Sequence, residues 1–173
     1  LSESNPHLRG ILELAKISEE VNLNSAFYFM TAENGDMDRG YHDDRSDELH
    51  LIIEKLTERG HEIGFHPGYE TFGDREKFLE EKRRMDEVLG YTNFGGRHHY
   101  LRFTIPDTWR LWEEAGMIYD STLGYEMYNG FRCGTCHPYH PFDIKNNRKM
   151  KILEVPLVVM EFTLNKFRDY SPQ

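Results

Sequence analysis

Apolar positions recur at helical spacing in four stretches of this chain, and short apolar or aromatic runs fall between them. Leu8, Ile11, Leu12, Ala15 and Val21 form the first stripe. Asn5 is placed to cap that helix, and Pro6 takes its first position, where a missing N–H removes no helical hydrogen bond. Residues 25–30, Ser-Ala-Phe-Tyr-Phe-Met, then read as an aromatic strand. Residues 31–45 are polar and contain Glu33, Asp36, Asp38, Asp43 and Asp44. They lack the alternating acid pattern of a calcium loop and read as a long solvated loop. Ser46 caps a second helix with Leu49, Ile52, Ile53 and Leu56 on its apolar face, and Gly60 stops it. Residues 61–66, His-Glu-Ile-Gly-Phe-His, follow as a strand.

A third helix is expected from Asp74 to Leu89, with Phe78, Leu79, Met85 and Val88 inward and Gly90 at its end. A short strand is expected near residues 94–100. Thr104 and Asp107 have the spacing of a capping box for a fourth helix carrying Trp109, Leu111, Trp112 and Ala115. Residues 117–120 and 152–160 read as strands, with Pro156 placing the latter at an edge or a bulge. Residues 124–148, rich in Tyr, Gly, Pro and His, read as loop. Helix, glycine stop, strand, loop, helix is the order of an α/β protein with parallel strands. No repeat or linker divides residues 1–173, so a single domain is expected.

Composition narrows the function classes. The chain has 173 residues with 38% hydrophobic and 13% aromatic content, enough for a packed core. Its formal charge of −9 argues against binding a phosphate backbone, so no nucleic-acid partner is expected. No apolar run is long enough to span a membrane. No signal peptide opens the sequence. Cys133 and Cys136 sit in C-G-T-C, followed by His137 and His140. The spacing admits a redox pair or half a zinc site, but Pro138 and Pro141 oppose the helix a redox pair needs, and the ordinary reading is two reduced loop cysteines. These features together point to a cytoplasmic protein.

Ligands of parallel α/β folds bind at the carboxyl ends of strands. Three successive strands deliver His66, then Arg97, His98, His99 and Tyr100, then Asp120 and Ser121 to one such rim. Histidines and carboxylates gathered at a rim suit a divalent metal, zinc above all, with a position left open for water. Each residue also has an ordinary reading. His61 starts its strand at the opposite end and reads as structural. His98 and His99 are adjacent, so a strand points them to opposite faces and at most one faces the site. Asp120 and Ser121 suit the turn after their strand. Glu70 can lie beside His66 on a helical turn or in solvent.

The stretch G-H-E-I-G-F-H-P at residues 60–67 resembles the polysaccharide deacetylase, or NodB-like, family of carbohydrate esterases. The aromatic strand at 25–30, G-R-H-H-Y at 96–100 and G-M-I-Y-D-S-T-L at 116–123 are similar to further family segments. The nearest likeness is to a divergent branch that shares R-H-H-Y-L-R-F, Y-D-S-T-L-G and G-F-R-C-G-T-C, and it covers residues 5–164. The resemblance implies a distorted (β/α) barrel and a metal-dependent hydrolase that removes acetyl groups from N-acetylated sugars or polysaccharides. It implies His66 as a metal ligand. The family's second histidine falls at Glu70, so Glu70, or His99 in its place, is the expected second ligand. It further implies Arg97 as the arginine that orients a catalytic carboxylate and Tyr100 as the oxyanion-site residue. Asp120 lies in the matching Y-D-S segment and completes the expected catalytic group. The family's T-F-D-D and L-x-H segments would fall before residue 5 and beyond Gln173, so the family's base Asp, metal Asp and acid His are not in this sequence, and the resemblance implies either part of a longer barrel or a degenerate member without activity. Two other readings stand beside this one: a carbohydrate-binding pseudoenzyme, with Tyr69, Tyr100, Trp109, Tyr125, Tyr128 and Tyr139 as stacking surface, and a non-sugar amidohydrolase on the same fold.

Overall fold

The structure, a computed structural model, describes residues 6–33, 35–41 and 46–167. The expected cap Asn5 and the acids Asp43 and Asp44 lie outside the described residues. Four α-helices, α1 (Pro6–Glu20), α2 (Ser46–Glu58), α3 (Arg75–Leu89) and α4 (Asp107–Glu114), alternate with short strands. The strands are β1 (Ala26–Phe29), β2 (Glu62–Phe65), β3 (Tyr119–Asp120), β4 (Phe142–Asp143), β5 (Arg148–Lys149) and β6 (Leu153–Glu154). The fold is mixed α/β, and among the described residues the strands form no closed barrel. No helix among the described residues is long and apolar enough to cross a membrane.

The parallel sheet runs β1, β2, Gly96, β3, β6. β1 pairs with β2 and β3 with β6, both parallel. Gly96 joins the two pairs through single parallel bridges to Phe65 and Asp120. The expected strand near 94–100 is thus reduced to one bridging residue, because the chain turns away into a 3-10 turn at His99–Leu101. The expected strand over 152–160 pairs only at Leu153–Glu154, where Tyr139 bridges the outer edge of Glu154.

Side chains alternate between the two faces of a strand. Phe29, Ile63 and Phe65 therefore face the helices, in a core with Leu8, Ala15, Leu49, Ile52, Leu56, Phe78, Met85 and Trp112. Tyr28 lies on the other face, where its hydroxyl meets that of Tyr119 at 3.0 Å. Local signals set several boundaries. Asp74 caps α3 by accepting the Lys77 N–H, and Gly90 ends it at φ 73°. Two expectations need correction. Val21 is 61% exposed, since the helix ends at Glu20 and the stripe leaves the core. The Thr104 capping box does not form: Thr104 donates its N–H to Thr108 Oγ1, and Pro106 is the N-cap of α4.

The expected loop 124–148 contains β4 and the first residue of β5, which pair as an antiparallel hairpin. Its anchor is Asp143, which accepts two hydrogen bonds from Arg110, at 2.7 and 2.8 Å, and two from Asn146. These donors, Arg110 foremost, hold the Asp143 carboxyl well below the usual carboxylate range. Its stabilisation is therefore present at neutral pH and lost as pH falls below the ordinary carboxyl range. Asp143→Asn is expected to lower the melting temperature at about pH 6, and the gap from wild type should narrow progressively as pH falls below the ordinary carboxyl range. Calorimetry across that range checks it. A gap that stays constant would assign the loss to packing instead.

Candidate active site

His66 follows β2 at its carboxyl end and His99 opens the 3-10 turn after Gly96, so the sheet carries both to one rim. Their rings meet edge to face with His66 Nε2 and His99 Nδ1 3.0 Å apart. The outer nitrogen of each ring faces a backbone carbonyl. His66 Nδ1 lies 2.6 Å from the Arg97 carbonyl oxygen, and His99 Nε2 lies 3.1 Å from that of Met37. A carbonyl only accepts, so where both rings are neutral each of these outer nitrogens carries the ring's one proton. The two facing nitrogens then both present lone pairs. Burial, with His99 next in effect, pushes the His66 pKa down to about 4, which favours the neutral ring.

Two lone pairs at 3.0 Å repel unless a cation lies between them. Two nitrogens bound to one tetrahedral zinc at about 2.0–2.1 Å would stand about 3.3 Å apart. The pair therefore fits two coordination positions of a divalent metal, with the outer N–H bonds fixing both tautomers as a metal site requires. Glu70 does not join them. It is exposed and lines a separate hollow with Asp38, Lys77, Glu80, Glu81 and Arg84. Among the described residues, no three His, Cys, Asp or Glu side chains gather to hold a metal ion.

The histidines open onto a cleft of ≈ 380 Å³ lined also by Tyr28, Met37, Arg39, Tyr41 and Tyr100. Tyr100 is 62% exposed and packs its ring edgewise on His99 at 4.5 Å. Its backbone is left-handed, with φ 56°, and so is that of Leu101, with φ 50°. Side chains with a Cβ rarely adopt this conformation, and such strain clusters at ligand sites. Arg97 points the other way, giving Nε–H and Nη2–H to the carbonyl and hydroxyl of Ser121, both at 2.9 Å.

Asp120 is fully buried below this rim. Its Oδ1 accepts the Thr122 N–H at 2.9 Å and the Thr122 hydroxyl, while its buried Oδ2 has no partner. Its register partner across β3–β6 is Glu154, also fully buried. Glu154 accepts Trp109 Nε1–H at 2.7 Å and the Leu123 N–H at 3.3 Å. Burial pushes both carboxyls up, and the charge of Asp120 adds to the shift of Glu154.

Three of these acids escape a sequence reading. Glu154 sits in what reads as an ordinary strand. Asp38 sits in the loop read as solvated, yet it is buried, accepts the Tyr69 N–H at 2.9 Å and lies 3.8 Å from His99 Nε2. Glu81 is buried on α3 and accepts the Gly68 N–H at 2.8 Å. Burial, and Asp38 after it, raises Glu81 to about 7. Acids 38 and 81 thus hold the backbone just after His66, and their partners are amides distant in sequence.

His98 turns away from the cleft and is buried against Thr71, with Nε2 3.1 Å from Oγ1. His61 is structural: its Nδ1 accepts the Ser25 N–H at 3.1 Å and its Nε2 faces Glu19 at 3.1 Å. Trp109 and Trp112 are core residues, whereas Tyr100, Tyr125 and Tyr128 are exposed. Cys133 and Cys136 are free thiols. Compared with protein-family models, curated proteins and solved structures, the chain matches none of them.

Proposed function

We propose that this chain is a metal-dependent carbohydrate N-deacetylase, hydrolysing an acetamido group of an N-acetylated sugar or polysaccharide on a distorted (β/α) barrel. The observation that carries the reading is the facing of two lone-pair nitrogens, His66 Nε2 and His99 Nδ1, at the floor of an open cleft. The resemblance of residues 60–67, 96–100 and 116–123 to family segments supports it. A bound zinc would supply an acidified water and polarise the amide carbonyl. His66 and His99 would hold it, with the carbonyls of Arg97 and Met37 fixing their tautomers. Glu70 is left out of the ligand set because it lines the other hollow. Tyr100 presents its ring and its strained backbone at the cleft, where a sugar face can stack and an amide oxygen can approach.

Zinc titration of the metal-free chain tests this. Wild type should bind one equivalent. His66→Ala and His99→Ala should each weaken binding at least about 30-fold, and His98→Ala by less than about 3-fold. Unchanged affinity in His66→Ala would remove the site. Acetate release from N-acetylglucosamine oligomers by the zinc-loaded chain supports hydrolysis. Sugar binding without acetate would replace the enzyme with a carbohydrate-binding domain, and activity on cyclic amides alone would change the substrate class.

A further inference from the structure

The loop after β3 holds the supports of both facing histidines. Ser121 accepts two hydrogen bonds from the Arg97 guanidinium, and the Arg97 carbonyl takes the His66 Nδ1–H. Thr122 Oγ1 accepts the His98 N–H at 2.9 Å, one residue before His99. The loop's own donors go to the buried acids. Thr122 gives its N–H and its hydroxyl to Asp120, and Leu123 gives its N–H to Glu154. Because the Thr122 hydrogen is committed to Asp120, its oxygen must present a lone pair to His98. Glu154 also takes the indole N–H of Trp109 on α4, so it fastens the loop to the helix layer.

We infer that Glu154, acting with Asp120, is a positioning residue for His66 and His99: it fixes the loop at 121–123, whose oxygens hold Arg97 and the His98 amide in place. This deepens the proposed metal site and rests on it for its purpose. An apolar residue at 154 leaves two buried N–H groups without an acceptor, and the loop must move to satisfy them. Glutamine keeps a carbonyl acceptor for one of them and a shape close to the native side chain.

The test is long-range ¹H–¹⁵N correlation of the imidazoles in the metal-free, ¹⁵N-labelled chain. In wild type, His66 should be the Nδ1–H tautomer and His99 the Nε2–H tautomer. Glu154→Leu should turn both into tautomer mixtures, while His61 keeps its wild-type signal. Glu154→Gln should restore single tautomers. Thr122→Val should disturb His99 alone, and Ser121→Ala His66 alone. Unchanged tautomers in a folded Glu154→Leu protein would overturn the inference. Should Glu154→Leu not fold, unchanged tautomers in both loop variants would overturn it equally. The readout needs no metal. The crossed pattern in a chain that binds no zinc would reject the metal site and keep the positioning role, whereas zinc binding without the pattern would do the reverse.

Discussion

Gly96→Ala is expected to abolish the native fold. Gly96 is the sole residue that pairs on both sides between β2 and β3 among the described residues, through its bridges to Phe65 and Asp120. Its N–H donates to the Tyr119 carbonyl at 3.3 Å, and its own carbonyl accepts the Ser121 N–H at 2.9 Å. A Cβ at this position would lie 2.0 Å from the Phe65 carbonyl oxygen. That neighbour is backbone of the central sheet and cannot swing aside. Relief requires β2 to part from residues 96 and 97, which breaks the Arg97 N–H bond to Phe65 and parts His66 from the Arg97 carbonyl. The cost is expected to exceed about 4 kcal/mol, against a usual total of about 5–15 kcal/mol for a domain. Gly10→Ala is the control. Its Cβ meets nothing within 4 Å on α1, and the change should stabilise by about 0.5–1 kcal/mol. Urea unfolding of both variants checks the pair. A folded Gly96→Ala protein with a near-native midpoint would show that the sheet tolerates a wider gap here.

The same glycine marks how far the sequence could be read. Helical periodicity placed α1, α2 and α3, and capping residues set both ends of α3, because these signals are local: Asp74 caps from three residues away, and Gly90 needs only its own backbone freedom. His66 was legible as a rim residue because an apolar strand leads directly into it. The adjacent histidines were legible as a pair pointing apart, although what separates them is a 3-10 turn rather than a strand pleat. The buried acids were not legible. Asp38, Glu81 and Glu154 look like solvent-facing residues in sequence, and each is buried because a remote N–H satisfies it. The β4–β5 hairpin was missed for a related reason. Its strands are two residues long with an exposed β5, and its strength comes from Arg110 on α4. The resemblance implied Glu70 as a ligand in place of the family's second histidine, but the 3-10 turn at Tyr69–Thr71 presents it to the neighbouring hollow.

Glu154→Gln is expected to weaken the chain's loss of stability at alkaline pH. Asp120 and Glu154 are register neighbours on adjacent strands, both fully buried, and the cation acting on them is Arg97, which is itself bonded to Ser121. The other titratable groups around them are Tyr28 and Tyr139, with Cys133 beside Tyr139, and burial raises both tyrosines, which keeps them neutral. One guanidinium cannot balance two buried carboxylates, so the pair retains a proton that the unfolded chain would release. A carboxyl raised in the folded state contributes stability that is fully present below the ordinary carboxyl range and lost as pH rises through the raised value. Wild type should therefore lose stability steadily from about pH 5 towards about pH 9. Glutamine is neutral at every pH and removes one of the two raised carboxyls, so the slope should become shallower, with buried Asp120 carrying what remains. At about pH 9 the variant should be the more stable protein by several kcal/mol, although it loses one acceptor for a buried N–H. Thermal unfolding of both chains at matched ionic strength between about pH 5 and pH 9 measures the two slopes. Parallel slopes would mean that Glu154 takes up no proton in the fold over this range, and the alkaline response would then belong to Asp120.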